Sequence, residues 1–208
     1  MTRNAWYRGW GKRVFDVVGS GAAIVLLFPV AIVAAAFIRV SLGSPVVFRQ
    51  RRPGLHGAPF VLLKFRSMAD RRDAAGRSLP DAERLTAVGR SLRASSLDEI
   101  PQLLNVLAGD MSLVGPRPLL FEYLERYTPR QARRHDVRPG ISGLAQVGGR
   151  NALSWEQKFE LDVEYVERCS LSLDLRILAL TVWQVLARHG ISQPGHATAN
   201  QFLGTLDS

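Results

Sequence analysis

The stretch RASSLDEIPQLLNVLAGDMSLVGPRP, residues 93–118, decides how the chain is organised. It places two adjacent carboxylates, Asp98 and Glu99, just before a run of apolar residues at helical spacing. Gly109 follows that run and is typical of the residue at which a helix ends. The closing Val-Gly-Pro-Arg-Pro segment is expected to be extended or turning, because proline restricts its own backbone and that of the residue before it.

Two helix starts fit this stretch. Ser96 with Glu99 matches a capping box, which would place Pro101 inside the helix. A start at or just before Asp98 places Pro101 in the first turn, where its missing N–H is unpaired anyway, and we favour this start. Either start puts the carboxylates at the positive end of a helix, which favours their ionised forms. Capping is the structural interpretation of the pair, and catalysis beside flanking arginines is the functional one.

Composition narrows the class of protein. The 208 residues are enough for one domain with appendages and a real core. A net charge of +9 favours partners such as nucleic acid, an anionic membrane surface or phosphorylated ligands. Cys169 is the single cysteine, which excludes an internal disulfide and fits a reducing compartment. The four histidines are scattered without metal-ligand spacing, so a zinc site is not expected.

An uncharged apolar run, VVGSGAAIVLLFPVAIVAAAFI, covers residues 17–38 and is long enough to span a bilayer. Basic residues mixed with Trp and Tyr precede it, as at a membrane–water interface. Pro29 lies in its middle and is expected to kink or break the helix. The run is too long for a secretory signal peptide, and no clear cleavage site follows it.

Basic residues flank this run on both sides, with Lys12 and Arg13 before it and Arg39 after it. The positive-inside bias therefore pulls both ends toward the cytoplasm. A re-entrant helix-break-helix satisfies both flanks, and it keeps Asp16 near the interface beside Lys12 or Arg13. A kinked single span is the alternative interpretation.

The rest of the chain is predicted to be mostly helical, with one small β-hairpin. Pattern and turn residues indicate strands at 46–48 and 60–65 joined by a Gly/Pro loop, a polar loop at 69–85 with one helical turn, and helical segments at 86–93, 119–127, 154–168 and 171–188. The last of these is apolar enough to lie in the membrane interface or to pack under the membrane segment. We divide the chain into a membrane-associated segment at 1–41, a catalytic domain at 42–188 and an irregular tail at 189–208.

Arginines on three separate loops suggest that the chain binds phosphate. Arg93, Arg117 and Arg150 lie in segments marked by Gly, Pro or Ser, and guanidinium groups bind phosphate oxygens bidentately. A pyrophosphate ligand calls for Mg²⁺, which binds carboxylate together with phosphate oxygens. A carboxylate can also attack phosphorus, so Asp98 and Glu99 can divide these roles. A membrane helix beside such a site indicates a lipid-borne substrate.

Several motifs together resemble the bacterial sugar transferase family of monotopic phosphoglycosyl transferases. The resemblance runs from Lys12 to about Arg188 and rests on KRVFD (12–16), PVVFRQ (45–50), KFRSM (64–68), SLDEIPQ (96–102), GDMSLVGPRP (109–118) and RPGISG (138–143). It implies a re-entrant membrane helix, a cytoplasmic active site and a ping-pong mechanism. It also implies that Asp98 is the nucleophile and that Glu99 is a Mg²⁺ ligand.

The resemblance assigns further residues as well. Arg93, Arg117 and Arg150 match positions that bind phosphate and nucleotide sugar, and Lys64 is a further candidate. The family usually has Asn where this chain has Gly148, but Arg150 is in place.

The resulting hypothesis is an α+β monotopic membrane enzyme with interfacial helices, held in the bacterial inner membrane with its site facing the cytoplasm. It transfers a sugar-1-phosphate from a UDP-sugar to polyprenyl phosphate and starts glycoconjugate or exopolysaccharide synthesis. Its partners are the two substrates, Mg²⁺ and membrane lipids, without nucleic acid, and a homodimer is compatible with the sequence. The alternatives are a membrane-anchored basic protein that binds anionic lipid or nucleic acid, and a transferase-like scaffold without chemistry.

Overall fold

A computed structural model describes residues 6–149, 152–187 and 201–204. Its helices are α1 (Lys12–Leu42), α2 (Asp81–Arg84), α3 (Ala87–Ala94), α4 (Gln102–Ala108), α5 (Pro129–Ala132), α6 (Leu144–Val147), α7 (Trp155–Arg168) and α8 (Leu171–Ala187). Its strands are β1 (Val47–Pro53), β2 (Pro59–Phe65), β3 (Ser112–Val114) and β4 (Gly140–Ser142). A π-helical turn covers Tyr7–Gly11, and 3₁₀ turns cover Leu55–Gly57, Leu97–Glu99, Phe121–Arg126 and Arg133–His135. The fold is therefore mostly helical with small sheets, as predicted.

The N-terminal helix is the long apolar element. Together with the turn that starts at Tyr7, α1 is long and apolar enough to cross a membrane. Many of its apolar side chains face away from the rest of the protein; Leu26 is 78% exposed and Val40 is 86% exposed. The helix is continuous through Pro29, so it is not broken at this residue. The re-entrant path through a bilayer stays a prediction.

The predicted hairpin is confirmed and is longer than expected. β1 and β2 pair antiparallel from Val47 opposite Phe65 to Pro53 opposite Pro59. Lys64 pairs with Phe48, and Arg52 pairs with Phe60. Because side chains alternate along a strand and directly paired residues share a face, Lys64 and Arg52 lie on one face of this hairpin.

Two of the predicted helices begin where their capping residues indicate. The Thr86 side chain accepts a hydrogen bond from the backbone of Gly89 at the start of α3. Ser154 and Gln157 form a capping box at the start of α7. Residues 119–127 hold only the 3₁₀ turn Phe121–Arg126, which is shorter than the predicted helical segment.

The start of the central helix differs from both predicted starts. Ser96 adopts a left-handed conformation with φ of 56°, and its side chain makes no capping hydrogen bond. Asp98 and Glu99 lie in a separate 3₁₀ turn, while α4 begins at Gln102 with Pro101 as its N-cap residue. Proline is compatible with this position because an N-cap N–H has no partner within the helix. The predicted stop is correct, since Gly109 ends α4 with φ of 97°.

A second sheet was not predicted. β3 and β4 pair in parallel, with Ser112 opposite Gly140 and Val114 opposite Ser142. The glycines allow the two backbones to touch, because a Cβ added at Gly140 would lie 2.1 Å from the backbone nitrogen of Gly115. Gly140 thus serves the close approach of two backbone segments.

The main core joins α4, β3, α7 and α8. It lies next to the 3₁₀ turn Leu97–Glu99, which carries Asp98 and Glu99 and is called the carboxylate turn below. Its fully buried side chains include Val106, Met111, Val114, Tyr165 and Ile177. This core fixes the segments that lead into and out of the carboxylate turn. A separate cluster of buried side chains is formed by Tyr123, Phe159 and, from the tail, Phe202.

Candidate active site

Glu99 is the centre of an ion-pair cluster whose members come from three separate segments of the chain. Its Oε1 accepts a hydrogen bond from Nζ of Lys64 at 3.0 Å and from Nη2 of Arg117 at 2.7 Å. Lys64 comes from β2, and Arg117 comes from the loop after β3. The structure therefore brings these three predicted residues together.

The cations around Glu99 fix its charge. Burial alone would raise the pKa of Glu99, but Arg117 and Lys64 outweigh this effect and lower its pKa to about 2. The pKa of Lys64 is itself lowered, first by burial and then by the nearby charge of Arg117, although Glu99 opposes both. Glu99 therefore stays ionised across the whole physiological range of pH.

Asp98 has a different environment from its neighbour. It is only 7% exposed, and no described residue donates a hydrogen bond to its carboxylate. Burial and the charge of Glu99 raise the pKa of Asp98, while Lys64, Arg117 and Arg93 lower it in part. The result is a desolvated carboxylate that lies beside three cations and receives no hydrogen bond from the part of the chain that the structure describes, which suits a nucleophile.

Of the two remaining predicted phosphate-binding residues, the structure describes Arg93 but not Arg150. Arg93 lies in the last turn of α3, where its Nε donates a hydrogen bond to Oγ of Ser67 at 3.0 Å. Its charge also affects the pKa of Asp98, so Arg93 borders the same site. Arg150 lies outside the described residues.

Two of the predicted membrane residues, Lys12 and Asp16, connect α1 to α8 and β3. Nζ of Lys12 pairs with Asp174 of α8 at 2.6 Å and with Asp16 at 3.9 Å. Asp16 is buried, and it accepts hydrogen bonds from Oγ of Ser112 at 2.8 Å and from the backbone nitrogen of Leu113 at 3.0 Å. Asp16 thus lies beside Lys12, as predicted, but it also holds β3.

Arg13 joins α1 to the helix that follows the carboxylate turn. Its Nη1 donates to the backbone oxygen of Val106 at 2.5 Å, and its Nη2 donates to that of Leu107 at 2.6 Å. Both carbonyl groups lie in the last turn of α4, where a cation is favourable. Arg13 and Asp16 therefore connect α1 to the C-terminal end of α4 and to β3.

Sequence reasoning missed two residues around the site. Asn105 of α4 accepts a hydrogen bond from the backbone nitrogen of Leu63 at 3.0 Å and donates one to the backbone oxygen of Val61 at 2.8 Å. It thereby fixes β2, the strand that carries Lys64. Arg52 lies on the same hairpin face as Lys64, and its buried Nε has no hydrogen-bond partner among the described residues. Strand alternation, with the hairpin register known, is the signal that locates Arg52.

The carboxylates are compatible with Mg²⁺. Among residues 6–149, 152–187 and 201–204, no group of three or more His, Cys, Asp or Glu side chains could hold a metal by itself. Mg²⁺ is commonly held by only one or two carboxylates together with substrate phosphates, so a complete protein cage is not required. Lys64 and Arg117 both bind Oε1 of Glu99, which leaves Oε2 as the oxygen for a cation.

A largely buried carboxylate pair beside clustered cations, in a chain with a long apolar helix, is the arrangement expected of an enzyme that transfers phosphorylated groups at a membrane. A family model described as bacterial sugar transferase matches residues 7–188. The chain therefore belongs to the bacterial sugar transferase family, and it is a phosphoglycosyl transferase, which confirms the resemblance read from its motifs.

Three relatives show how far the similarity extends. The chain is 56% identical over 201 residues to the "uncharacterized sugar transferase EpsL" of Bacillus subtilis strain 168, covering 94% of this chain and 97% of that protein. It is 44% identical to the UDP-glucose:undecaprenyl-phosphate glucose-1-phosphate transferase of Caulobacter vibrioides, covering 84% and 69%. It is 37% identical to the exopolysaccharide production protein ExoY of Rhizobium meliloti strain 1021, covering 88% of each chain.

Proposed function

We propose that this enzyme transfers a sugar-1-phosphate from a UDP-sugar to undecaprenyl phosphate and releases UMP. This reaction would be the first membrane step of glycoconjugate or exopolysaccharide synthesis. The observation that carries the proposal is the environment of Asp98, a buried carboxylate without a hydrogen-bond partner among the described residues, next to Lys64 and Arg117. The names of the Caulobacter and Rhizobium relatives support the same reaction and pathway class.

The proposed chemistry has two displacements at one phosphorus atom. A carboxylate oxygen of Asp98 attacks the β-phosphorus of the UDP-sugar, and the bond to the bridging oxygen breaks so that UMP leaves. An oxygen of undecaprenyl phosphate then attacks the same phosphorus and breaks its bond to Asp98. Overall one phosphoanhydride bond, in the UDP-sugar, is broken and another, in the polyprenyl diphosphosugar, is formed, so the transfer is near thermoneutral and reversible.

The cations serve both displacements. Arg117 and Lys64 both bind Glu99 next to Asp98, and fixed cations there would stabilise the negative charge that develops on the phosphate oxygens. Arg93, and Arg150 from outside the described residues, are proposed to bind the nucleotide diphosphate. Mg²⁺ held by Glu99, when bound, would supply further charge neutralisation.

Membrane attachment would bring the lipid substrate to this site. We propose that α1 enters the inner membrane as a re-entrant helix bent at Pro29, which keeps Lys12 and Arg39 on the cytoplasmic side. Exposed apolar residues on α8, including Trp183 at 57% and Leu186 at 78% exposure, support a position in the membrane interface. The active site would then face the cytoplasm at the height of the lipid phosphate.

The test uses the protein in nanodiscs with Mg²⁺ and a panel of UDP-sugars, without polyprenyl phosphate. A ping-pong enzyme exchanges labelled UMP into its UDP-sugar under these conditions, because the first half-reaction needs no acceptor. Exchange with one sugar would identify the donor, and adding undecaprenyl phosphate should then convert exchange into net UMP release. Exchange of labelled UMP into the UDP-sugar that occurs only when the acceptor is present would contradict the covalent intermediate.

Glu99→Gln is expected to slow UMP release about 100- to 1,000-fold, the usual cost of losing one preorganised electrostatic group. It should also raise the Mg²⁺ concentration that gives half-maximal rate, because the ligand oxygen loses its charge. A Mg²⁺ titration of the variant measures both effects. Glu160→Gln is the control, since Glu160 is 57% exposed and pairs with Arg130 away from the site. An unchanged Mg²⁺ dependence in Glu99→Gln would refute the ligand assignment.

The acid limb of the pH–rate profile should report Asp98. Attack requires the ionised carboxylate, and the pKa of Asp98 is raised by burial and by Glu99, so kcat/KM for the UDP-sugar should fall as pH drops toward this raised value. Glu99 does not contribute, because its pKa of about 2 keeps it ionised. Lys64→Gln removes a charge that lowers the pKa of Asp98, so it should move the limb to higher pH. A limb that stays or moves lower would contradict this assignment.

A further inference from the structure

The described part of the C-terminal tail, residues 201–204, packs onto the catalytic domain through one residue. The Phe202 ring lies 4.9 Å from that of Phe159 and 5.6 Å from that of Tyr123, centroid to centroid. Its backbone nitrogen donates a hydrogen bond to the Tyr123 hydroxyl at 3.1 Å, and its backbone oxygen accepts one from Arg126. Both the side chain and the backbone of Phe202 are therefore held.

Four aromatic side chains surround this residue, and we call them the aromatic cluster: Tyr123, Tyr127, Trp155 and Phe159. Phe202 is 2% exposed, whereas the next residue, Leu203, is 81% exposed. Residues 201–204 thus insert the Phe202 ring into the aromatic cluster and leave the Leu203 side chain outside it.

The aromatic cluster also encloses a buried arginine. The guanidinium of Arg134 lies 5.7 Å from the ring centroids of both Tyr127 and Phe159, the same two rings that contact Phe202. Its Nε and Nη2 bind Oδ2 of Asp162 at 3.0 and 2.8 Å, and its Nη1 donates to the Tyr127 hydroxyl at 3.2 Å. Arg134 is therefore fixed on its faces by rings and along its edge by hydrogen bonds.

Arg134 reaches the active-site loop directly. Its Nη2 donates a hydrogen bond to the backbone oxygen of Arg117 at 2.7 Å. The side chain of Arg117 extends the other way and meets Glu99 at 2.7 Å. The Arg117 side chain is long and has many rotamers. The position of its guanidinium therefore depends on how firmly the Arg117 backbone is held.

We propose that Phe202 is a positioning residue, which holds Tyr127 and Phe159 around Arg134 and thereby fixes Arg117 for binding the donor phosphates. The proposal rests on the proposed function of the site, and it gives the tail a role that sequence analysis could not assign. Small displacements of a substrate-binding group can cost about 100-fold in rate, so loose anchoring would be felt far from the tail.

The test compares Phe202→Ala with the matched control Leu203→Ala in steady-state UMP release. Phe202→Ala should lower kcat/KM for the UDP-sugar about 10- to 100-fold, mainly through KM, and Leu203→Ala should leave it unchanged. Phe202→Leu, which keeps apolar bulk but has no aromatic ring, should show a smaller loss that is still measurable. A kcat/KM equal to that of wild type in Phe202→Ala would overturn the proposal, and if Phe202→Ala does not fold, the same value in Phe202→Leu would overturn it.

A second background separates positioning from general loosening. In Arg117→Lys the positioned guanidinium is already gone, so the Phe202→Ala change should cost much less there than in wild type. Equal costs in the two backgrounds would show that the sites act independently and would overturn the proposal.

Hydrogen exchange gives a readout that does not depend on turnover. Phe202→Ala should speed exchange in the peptide 113–121, which carries Arg117, while Leu203→Ala should not. Unchanged exchange in this peptide would overturn the positioning role. Wild-type protein that releases no UMP from any UDP-sugar would instead refute the proposed function, and the exchange result would still decide the role of Phe202.

Discussion

Asp98→Asn should reduce UMP release and UMP exchange by about 10,000-fold or more, the scale on which loss of a nucleophile acts in hydrolases. Asn matches Asp in shape but offers a neutral amide in place of the carboxylate that attacks phosphorus. The fold should survive the change. Burial and the charge of Glu99 disfavour the ionised carboxylate, so a neutral side chain at residue 98 relieves a cost that the wild-type protein carries.

This prediction therefore has two parts that move in opposite directions. Activity should be lost, while the melting temperature in detergent should equal or exceed that of wild type, as expected where function requires an unfavourable charge. Asp110→Asn is the matched control, because Asp110 is an exposed aspartate in the same stretch of sequence. Measurable exchange in Asp98→Asn, with Asp110→Asn fully active, would remove Asp98 as the nucleophile.

Local signals predicted the local elements. Thr86 and Ser154 each cap a helix where the sequence indicates a start, and alternating residues with a Gly/Pro loop indicate the β1–β2 hairpin. Each of these signals acts within a few residues of the element that it specifies. Ser96 and Glu99 show the limit of such signals, because they have the same pattern as a capping box but form none. The left-handed conformation of Ser96 and the late start of α4 at Gln102 explain this difference.

The convergence of the site depends on contacts between distant segments. Motif identity predicted that Lys64, Glu99 and Arg117 act together, and the structure brings them together from β2, the 3₁₀ turn and the loop after β3. The parallel pairing of β3 with β4 had no local signal. Gly140 has no side chain, and nothing in the sequence around it indicates that it packs against Gly115. The burial of Phe202 could not be predicted either, because a single aromatic residue in a polar segment does not indicate which side chains it packs against.

Among the variants proposed for this protein, Asp162→Ala should have the largest effect on stability. It should lower the free energy of unfolding by about 3–5 kcal/mol. Asp162 and Arg134 form an ion pair whose side chains are only 4% and 2% exposed. Removing the carboxylate leaves the Arg134 cation buried without its counter-ion, which is the costly case for such pairs. Domains of this size are stable by about 5–15 kcal/mol, so the variant should melt far below wild type.

Glu160→Ala is the matched control on the same helix, since it breaks an ion pair with Arg130 whose side chains are 57% and 55% exposed. Its cost should be at most about 1 kcal/mol. Melting temperatures measured in one detergent compare the two variants. Similar losses in both would show that burial does not make the Arg134–Asp162 pair special.

A double replacement distinguishes stability from positioning. Replacing a buried ion pair by apolar residues of similar volume is often neutral or stabilising, so Arg134→Met with Asp162→Leu should recover most of the stability lost in Asp162→Ala. It cannot restore the hydrogen bond from Arg134 to the backbone of Arg117. UMP release should therefore stay low in a protein that melts near the wild-type temperature. Recovery of both properties together would mean that Arg134 only stabilises the fold and that Arg117 is fixed by other contacts.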